Sequence, residues 1–358
     1  MNRLSVKNLV VTAAVILVAL SLASCGGSSK TWPTSNLTKF VYLADTSSES
    51  SNVKGTHSSA RTRQMSARGV AAHHAAKPRA VQGYDIATGT EDVYIYDLVS
   101  NTTTKLNTTS ADYDSVALST DYKTVYFTAY DSNGFTQIYS ASVADFNSPT
   151  QLTTGTAGDY HDASISHDGK TISAIYFNES AAVVTSLESI ASLPSSGGTP
   201  TLMAISGLDE LWTPRLTPDN TTYILEGEAS DNGAAIFSVK VDGTGLTQLT
   251  NASGGWWDWF PTVSPDGKTI SFIREGDGED VYVVPITGET TTAPATAITT
   301  DHDADEAVIL GGYIAYIDYV KTADGSGNGQ LFLVLATGGN AVQLTTADEQ
   351  IYFDWWDD

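Results

Sequence analysis

The stretch WFPTVSPDGKTISFI, from Trp259 to Ile273, decides the fold. Its Pro-Asp-Gly segment separates two strand-like runs, and glycine tolerates the positive φ angle that a tight hairpin turn requires. After the turn, polar and apolar residues alternate, so that Ile270 and Phe272 share one face of a strand. The segment therefore predicts a β-hairpin, and its recurrence along the chain shows which architecture the hairpin belongs to.

The same turn recurs at nearly constant spacing. An aspartate marks it at positions 121, 168, 219 and 266, with intervals of 47, 51 and 47 residues. A second marker, Gln-Leu-Thr, begins at positions 151, 248 and 343, and looser copies at 105, 201 and 297 bring the count to six. Each repeat holds four short strand-like runs, and such units with a period in the forties are typical of propeller blades. The sequence thus predicts an all-β, six-bladed β-propeller of four-stranded antiparallel blades.

The two ends of the repeat region complement each other. Lys39–Asp45 has the pattern of a second strand whose first strand is missing, and residues 351–358 (IYFDWWDD) align with the first strand WWDWFPTV. We expect the C-terminal strand to complete the N-terminal blade, because this closure removes two exposed sheet edges. The predicted propeller then spans residues 39–358.

Turns such as SPDGKTISF followed by QLT resemble the WD40-like repeats of the TolB propeller family. The resemblance covers residues 39–358 and implies a periplasmic six-bladed propeller of bacteria. The same repeat serves binding proteins, peptidase accessory domains and some lyases, so the resemblance constrains the fold more than the function. TolB proteins carry an α/β domain before the propeller, and this sequence shows no pattern for one. A place in a Tol-Pal system therefore does not follow from the resemblance.

The N-terminus has the features of a lipoprotein export signal. Two basic residues, Arg3 and Lys7, precede an apolar stretch of 14 residues at positions 9–22, which is short for a membrane-spanning helix. The stretch ends in LASC, which resembles a bacterial lipobox, and its Cys25 is the only cysteine of the chain. A lipobox cysteine becomes the acylated first residue of the mature protein.

We therefore predict a signal peptide at residues 1–24, lipidation of Cys25 with acyl chains such as palmitate, and a linker at residues 25–38. Acyl chains of this kind give stable membrane anchoring. Gly26 occupies the position where an aspartate would resemble an inner-membrane retention signal. The expected location is the cell envelope, at the periplasmic face of the outer membrane.

Charge is distributed unevenly along the chain. The formal net charge is −23, but residues 46–83 carry six basic side chains against one acid, a net of +5. Residues 84–358 carry 39 acids against eight bases, a net of −31. This acidic body argues against nucleic acid as a partner and leaves membrane attachment to the lipid anchor.

The basic segment interrupts the first blade between its second and third strands. It is rich in Ser, Ala, Arg and His and has no strand or helix pattern, so we expect a flexible insertion at residues 46–83. Two interpretations stay open. The segment is either an insertion without a role, or a basic arm that contacts anionic lipid headgroups or the acidic propeller.

Recognised catalytic motifs are missing from the sequence. It has no G-x-S-x-G elbow, no P-loop and no H-E-x-x-H pair. No hydrolase domain of the kind that accompanies propellers in peptidases is predicted either, so a non-enzymatic role is favoured. No cofactor is predicted, although carboxylate oxygens would suit Ca²⁺ as a structural ion.

Tryptophans and acids gather just before the first strand of each repeat. In a propeller this strand is innermost, and the connection into it lies at the mouth of the central channel. The repeats should therefore place aromatic rings and carboxylates around one opening, which becomes a candidate binding site. The predicted mouth residues are Asp114, His161, Trp212, Asp258, Trp259, Asp303, Asp354 and Trp355.

Each of these residues also has an ordinary structural interpretation. The tryptophans could pack between neighbouring blades, and the acids could be solvated loop residues. His161 and His302, each flanked by aspartate, could form a metal site or an acid-base pair, but they fall three blades apart.

These features lead to three hypotheses. The first is a monomeric, lipid-anchored envelope propeller that binds a protein or peptide at its channel mouth without catalysis. The second is a carbohydrate-binding or lyase-like propeller that uses tryptophan rings and carboxylates. The third is a structural propeller stabilised by Ca²⁺.

Overall fold

The computed structural model describes most of the predicted propeller. The described residues are 39–45, 91–155, 158–178, 188–229, 233–251, 256–276, 278–321, 327–345 and 350–352. Within them the chain forms 24 β-strands in six antiparallel sheets of four strands, and no helix. None of these residues forms a helix that is long and apolar enough to cross a membrane. The predicted fold class is confirmed.

Each sheet is one blade. Blade 1 comprises β1 (Lys39–Asp45), β2 (Glu91–Asp97), β3 (Thr102–Lys105) and β24 (Gln350–Tyr352). Blade 2 comprises β4 (Tyr113–Leu118), β5 (Thr124–Tyr130), β6 (Thr136–Ser142) and β7 (Asp145–Gln151). Blade 3 comprises β8 (Asp159–Ile165), β9 (Thr171–Phe177), β10 (Glu188–Pro194) and β11 (Thr201–Met203).

The second half of the chain repeats this arrangement. Blade 4 comprises β12 (Glu210–Leu216), β13 (Thr222–Glu228), β14 (Ala235–Lys240) and β15 (Thr247–Gln248). Blade 5 comprises β16 (Trp257–Val263), β17 (Thr269–Glu275), β18 (Glu279–Pro285) and β19 (Thr296–Ala297). Blade 6 comprises β20 (Ala304–Ile309), β21 (Tyr313–Lys321), β22 (Gly327–Leu335) and β23 (Val342–Gln343).

The C-terminal strand closes the ring, as predicted. β24 pairs antiparallel with β1, with Tyr352 opposite Leu43 and Gln350 opposite Asp45. Blade 6 also contacts blade 1 through β22 and β24, and every other pair of consecutive blades is in contact as well. The predicted closure strand began at residue 351 and ran to 358; its part beyond residue 352 lies outside the described residues, as do the insertion at 46–83 and Cys25.

The recurrent turn is a small hydrogen-bonded module. Between β16 and β17, the Ser264 hydroxyl donates to Asp266 Oδ1 over 2.7 Å and accepts from the amides of Lys268 and Thr269 over 3.2 and 3.0 Å. Gly267 has a φ of 70°, in the left-handed region that glycine tolerates. The matching hydroxyl-to-carboxylate bonds join Ser119 to Asp121, Ser166 to Asp168 and Thr217 to Asp219. The predicted turn chemistry therefore holds in four blades.

The threonine of the second marker fastens the outer edge of blades 2, 4, 5 and 6. In blade 2, Thr153 Oγ1 accepts from the Ile138 amide over 2.9 Å and donates to Gln137 Oε1 over 2.9 Å. These bonds tie the residues that follow the outer strand to the third strand. The equivalent threonine-to-amide bonds join Thr250 to Ile236, Thr299 to Val281 and Thr345 to Leu331.

The apolar core lies in the seams between blades. One cluster joins Ile224 and Ile236 of blade 4 to Ile270 and Phe272 of blade 5. Equivalent clusters join blade 2 to blade 3, blade 3 to blade 4, and blade 5 to blade 6. A further cluster continues from blade 6 through blade 1 into blade 2, so the blade that holds both chain ends shares the core of its two neighbours.

Removing residues 350–358 should destabilise the protein. The deletion exposes one edge of β1 and uncovers Leu43, which is fully buried, and large side chains stabilise by roughly 1.5–3 kcal/mol each when buried. We expect a clearly lower Tm in thermal unfolding, and partial recovery when a peptide of residues 350–358 is added. The control variant Val99→Ala, in a side chain of blade 1 that is 75% exposed, should leave Tm unchanged. An unchanged Tm in the deletion would contradict closure as a source of stability.

Candidate binding site at the channel mouth

The inner strands of blades 2 to 6 all begin at one face of the ring, which we call the mouth face. In blade 5, Trp257 at the start of β16 lies opposite Glu275 at the end of β17, which in turn lies opposite Glu279 at the start of β18. The start of the first strand, the end of the second strand and the start of the third strand therefore all lie at this face. The turn aspartates lie at the other ends of the inner strands, on the opposite face.

A β-bulge interrupts every described inner strand of blades 2 to 6 near the mouth face. In blades 3, 4 and 5 the bulge holds a non-glycine residue with a left-handed backbone, with φ of 52° at Asp162, 47° at Thr213 and 54° at Phe260. This conformation is unfavourable for a β-branched or bulky residue, and bulges of this kind often re-aim side chains at functional sites.

His161 and Asp114 form a pair across the seam between blades 2 and 3. His161 Nδ1 lies 3.1 Å from Asp114 Oδ1, and Asp114 Oδ2 accepts a hydrogen bond from Thr128 over 2.8 Å. Burial alone would lower the pKa of His161, but the carboxylates of Asp114, Asp159 and Asp162 outweigh it and raise that pKa to about 9. His161 is therefore a partly buried cation at neutral pH.

Three carboxyl groups reach across seams to backbone amides of the next blade. They are Asp162 and Glu188 of blade 3 and Glu226 of blade 4, and all three are buried. Their acceptor distances are 3.2 Å from Asp162 to the Thr213 amide, 2.7 Å from Glu188 to the Leu211 amide and 3.3 Å from Glu226 to the Phe260 amide. Two of these amides belong to the left-handed bulge residues.

Four carboxyl groups at the mouth face of blades 3 and 4, which we call the acidic sector, have raised pKa values. Burial raises the pKa of Glu188 and of Glu226 to about 8, although each accepts a backbone hydrogen bond. Burial and the neighbouring Glu228 raise the pKa of Glu210 to about 7. Burial also raises the pKa of Asp162, with a further contribution from Asp114. The sector thus mixes neutral and charged carboxyl groups near pH 7.

Asp258 is part of a buried ion-pair network. It is 0% exposed, and its two oxygens lie 2.6 and 2.7 Å from Arg274 Nε and Nη2. Arg274 also binds Glu289 over 2.9 Å and lies over the rings of Phe272 and Tyr282. Because its carboxylate is enclosed and fully paired by this bidentate contact, Asp258 serves the packing of blade 5 in this structure.

The tryptophans differ in burial, and packing between blades is one of the two interpretations that the sequence left open. Trp212 is only 9% exposed, and Trp259 packs against the core between blades 5 and 6. Among the described residues, the buried Trp259 Nε1 has no hydrogen-bond partner. The inner-strand position buries the Trp212 ring, and its proposed binding role stays a prediction.

Trp256 is an exposed aromatic residue at the mouth face that is absent from the predicted set. It lies one residue before β16, is 41% exposed and rests on Gly276, where an added Cβ would approach its ring to 3.0 Å. The glycine at this turn leaves room for the ring. The sequence signal was the position itself, since a residue just outside the strand escapes the burial imposed on Trp257 and Trp259.

The remaining predicted residues are dispersed or lie outside the described part. Asp303 is exposed at the mouth face, next to His302, whose Nδ1 lies 2.7 Å from Asp280 Oδ2. His161 and His302 therefore each have an aspartate partner of their own. Asp354 and Trp355 lie outside the described residues, so their binding role stays a prediction. Within the described ranges, no group of three His, Cys, Asp or Glu side chains is arranged to hold a metal ion, and the Ca²⁺ hypothesis stays a hypothesis.

Comparisons with known proteins agree with the architecture. The family model for the dipeptidyl peptidase IV N-terminal region matches residues 36–181. A protein assigned as TolB from Agrobacterium tumefaciens superposes with a TM-score of 0.57 at 21% identity, over 72% of this chain and 95% of that one. TolB from Acinetobacter baumannii gives 0.58 at 15% identity, over 76% of this chain and 64% of that one.

An enzyme shares the same fold. An oligogalacturonate lyase in complex with manganese superposes with a TM-score of 0.50 at 14% identity, over 72% of this chain and 71% of that one. No curated protein matches the sequence significantly. The chain therefore has a TolB-like propeller fold, and identities this low carry the fold alone.

Breaking the Asp258–Arg274 pair should affect stability. The variant Arg274→Met leaves a buried carboxylate without its partner, which typically costs about 3–5 kcal/mol. We expect a loss of about this size in the free energy of unfolding from urea titration. The double variant Asp258→Leu/Arg274→Met should recover part of the loss, because it removes the fully buried Asp258 charge and leaves only the less buried Glu289 without its arginine partner. Unchanged stability of the single variant Arg274→Met would contradict a structural role for the Asp258–Arg274 ion pair.

The Asp114 carboxylate should set the charge of His161. In Asp114→Asn the main raising influence disappears while burial remains, so the pKa of His161 should fall from about 9 to near or below its ordinary 6.5. NMR titration of the imidazole Cε1 proton measures this, with His161→Gln used to assign the resonance. If His161 titrates near 6.5 in the unaltered protein, the buried ion pair is wrong.

Proposed function

We propose that this protein is a non-catalytic binding propeller of the cell envelope, anchored by acyl chains on Cys25, whose mouth face binds a protein or peptide segment that carries basic residues. The observation that supports the proposal is the gathering of carboxyl groups around one exposed tryptophan at this face. The anchor and the location at the periplasmic side of the outer membrane rest on the lipobox-like LASC sequence.

Charge favours a cationic ligand. Residues 84–358 carry a net charge of −31, and Asp209, Asp301 and Asp303 are exposed at the mouth face. A concentration of one sign of charge at an opening steers oppositely charged partners and accelerates their association, with an effect that weakens as salt rises. A basic segment of a protein or peptide is the partner that fits this field.

Trp256 supplies the apolar part of the proposed contact. Its ring is 41% exposed and held in place from below by Gly276, so it can be covered by a ligand without being released from the core. Rigid aromatic residues of this kind commonly dominate the binding energy of protein interfaces. Trp212 is buried and both Trp257 and Trp259 are partly buried, so the proposal depends on the exposed ring of Trp256.

A carbohydrate is the second candidate ligand. An exposed indole ring beside carboxylates also suits stacking against a sugar ring. The exposed His302, paired to Asp280, lies close to the same glycine turn as Trp256, because an added Cβ at Gly278 would collide with His302. This arrangement of an indole ring, an imidazole and carboxylates favours a glycan as the second candidate, and one experiment can decide between a glycan and a peptide.

The full chain in detergent should bind immobilised peptides that contain Lys and Arg and ignore a glycan array. Replacing Trp256 by Ala should weaken peptide binding by about 30-fold, the equivalent of about 2 kcal/mol for an aromatic hot spot. The control Val99→Ala, an exposed apolar residue on the opposite face, should bind normally. Binding to glycans alone would favour the carbohydrate ligand, and equal peptide binding by both variants would contradict the proposed site.

A further inference from the structure

The bulge amides of blades 4 and 5 donate across the seam to carboxyl groups of the preceding blade. The Thr213 amide donates to the carboxyl of Asp162, and the Phe260 amide donates to the carboxyl of Glu226. Near the first of these, the Leu211 amide donates to a second carboxyl group, that of Glu188. Both seams of blade 4 are therefore held at the mouth face by ionisable acceptors.

In two other seams, hydroxyl groups accept hydrogen bonds from inner-strand amides of the next blade. Between blades 2 and 3, Ser115 Oγ accepts from the Ala163 amide over 2.9 Å. Between blades 5 and 6, Thr262 Oγ1 accepts from the Ile309 amide over 3.1 Å. A hydroxyl does not ionise in the ordinary pH range, so these two bonds provide an internal reference for the carboxyl-bonded amides.

We propose that blade 4 is a pH-sensitive element, whose two seams loosen at the mouth face when Asp162, Glu188 and Glu226 ionise. Each group lies in a water-poor seam, where an added negative charge is costly unless it is paired. The ring stays closed through its apolar core, and the change is confined to the bulges.

The surroundings of these groups contain more negative than positive partners. Asp162 faces Asp114 on β4, His161 on its own strand and Arg215 on β12. The groups that act on Glu188 and Glu226 are Glu210, Glu228, His161 and Asp162. Arg274 does not compensate them, because Asp258 and Glu289 already bind it. Ionisation of the three carboxyl groups therefore adds repulsion that His161 and Arg215 only partly offset.

The direction of the pH effect follows from the raised pKa values. Burial raises the pKa of Glu188 and Glu226 to about 8, above their ordinary value in an unfolded chain. Their contribution to stability is then complete below about pH 4.5 and is lost as the pH rises through about 8. His161, with its pKa raised to about 9, stays charged over most of this range, so it does not reverse the effect.

Backbone strain makes the bulges responsive to this loss. Thr213 and Phe260 have φ of 47° and 54°, a conformation that costs about 1–3 kcal/mol and persists only where surrounding bonds enforce it. Ionisation strengthens the acceptor oxygen, but the unsolvated charge and its repulsion from neighbouring carboxylates draw water into the seam, and this loosening removes part of that constraint. Gly233 of blade 4 lies against the backbone of Trp256, so the seam between blades 4 and 5 also borders the proposed binding ring.

Amide hydrogen exchange, followed residue by residue by NMR on the full chain in detergent at about pH 5.5 and 8.5, tests this inference. After correction for intrinsic exchange rates, protection at Leu211, Thr213 and Phe260 should fall about fourfold more than at Ala163 and Ile309, as expected for a carboxyl group whose pKa of about 8 lies about half a unit below the higher pH. Equal changes at all five amides, or no change, would overturn the proposal.

Isosteric variants separate ionisation from bond loss. Glu226→Gln keeps an acceptor oxygen but cannot ionise, so the pH dependence at Phe260 should disappear while its protection at the lower pH remains. Asp162→Asn provides the same test at Thr213 if the first variant folds poorly. Persistence of the pH dependence in a folded variant would contradict the proposal. No ligand is needed for these measurements, so their outcome is independent of the proposed function.

Discussion

Apolar packing in the seams between blades is the constraint on which the rest of the structure depends. Each four-stranded sheet is covered only when its neighbour lies against it, as Ile224 and Ile236 of blade 4 cover Ile270 and Phe272 of blade 5. A row of such sheets would leave two uncovered ends, and pairing of β24 with β1 joins them. The seams also bring inner-strand residues of consecutive blades together at the mouth face.

This enforced proximity explains the electrostatics of the mouth. Acidic side chains at the mouth-face ends of strands in consecutive blades are brought together and withdrawn from water, which raises the pKa of Glu188 and Glu226 to about 8. A cation or a backbone amide then becomes the compensating partner, as in the Asp114–His161 pair. In blade 5 the buried charge of Asp258 is compensated by the Arg274 guanidinium of the same sheet. The proposed ligand contacts the acids that these internal partners leave exposed.

The sequence predicted the blades well because their signals are local. The turn chemistry around Asp266 and the alternation in β17 need only adjacent residues, and even Tyr122 adopts the turn conformation with φ of 60°. The Asp114–His161 pair was also within reach, since both residues precede their turn aspartate by seven positions and equal positions of consecutive blades lie side by side. The exposure of the tryptophans was not predictable, because the bulges and seams that bury Trp212 and leave Trp256 exposed are non-local.

The most direct test of the account is a hydrogen-exchange footprint of a bound Lys- and Arg-containing peptide. The account predicts added protection at the mouth face, around Asp209, at Trp256 and Trp257, and at residues 301–303, with none at the turn aspartates of the opposite face. Protection centred on the turns at positions 121, 168, 219 and 266, with the mouth unchanged, would contradict the central claim that the acidic mouth is the functional surface.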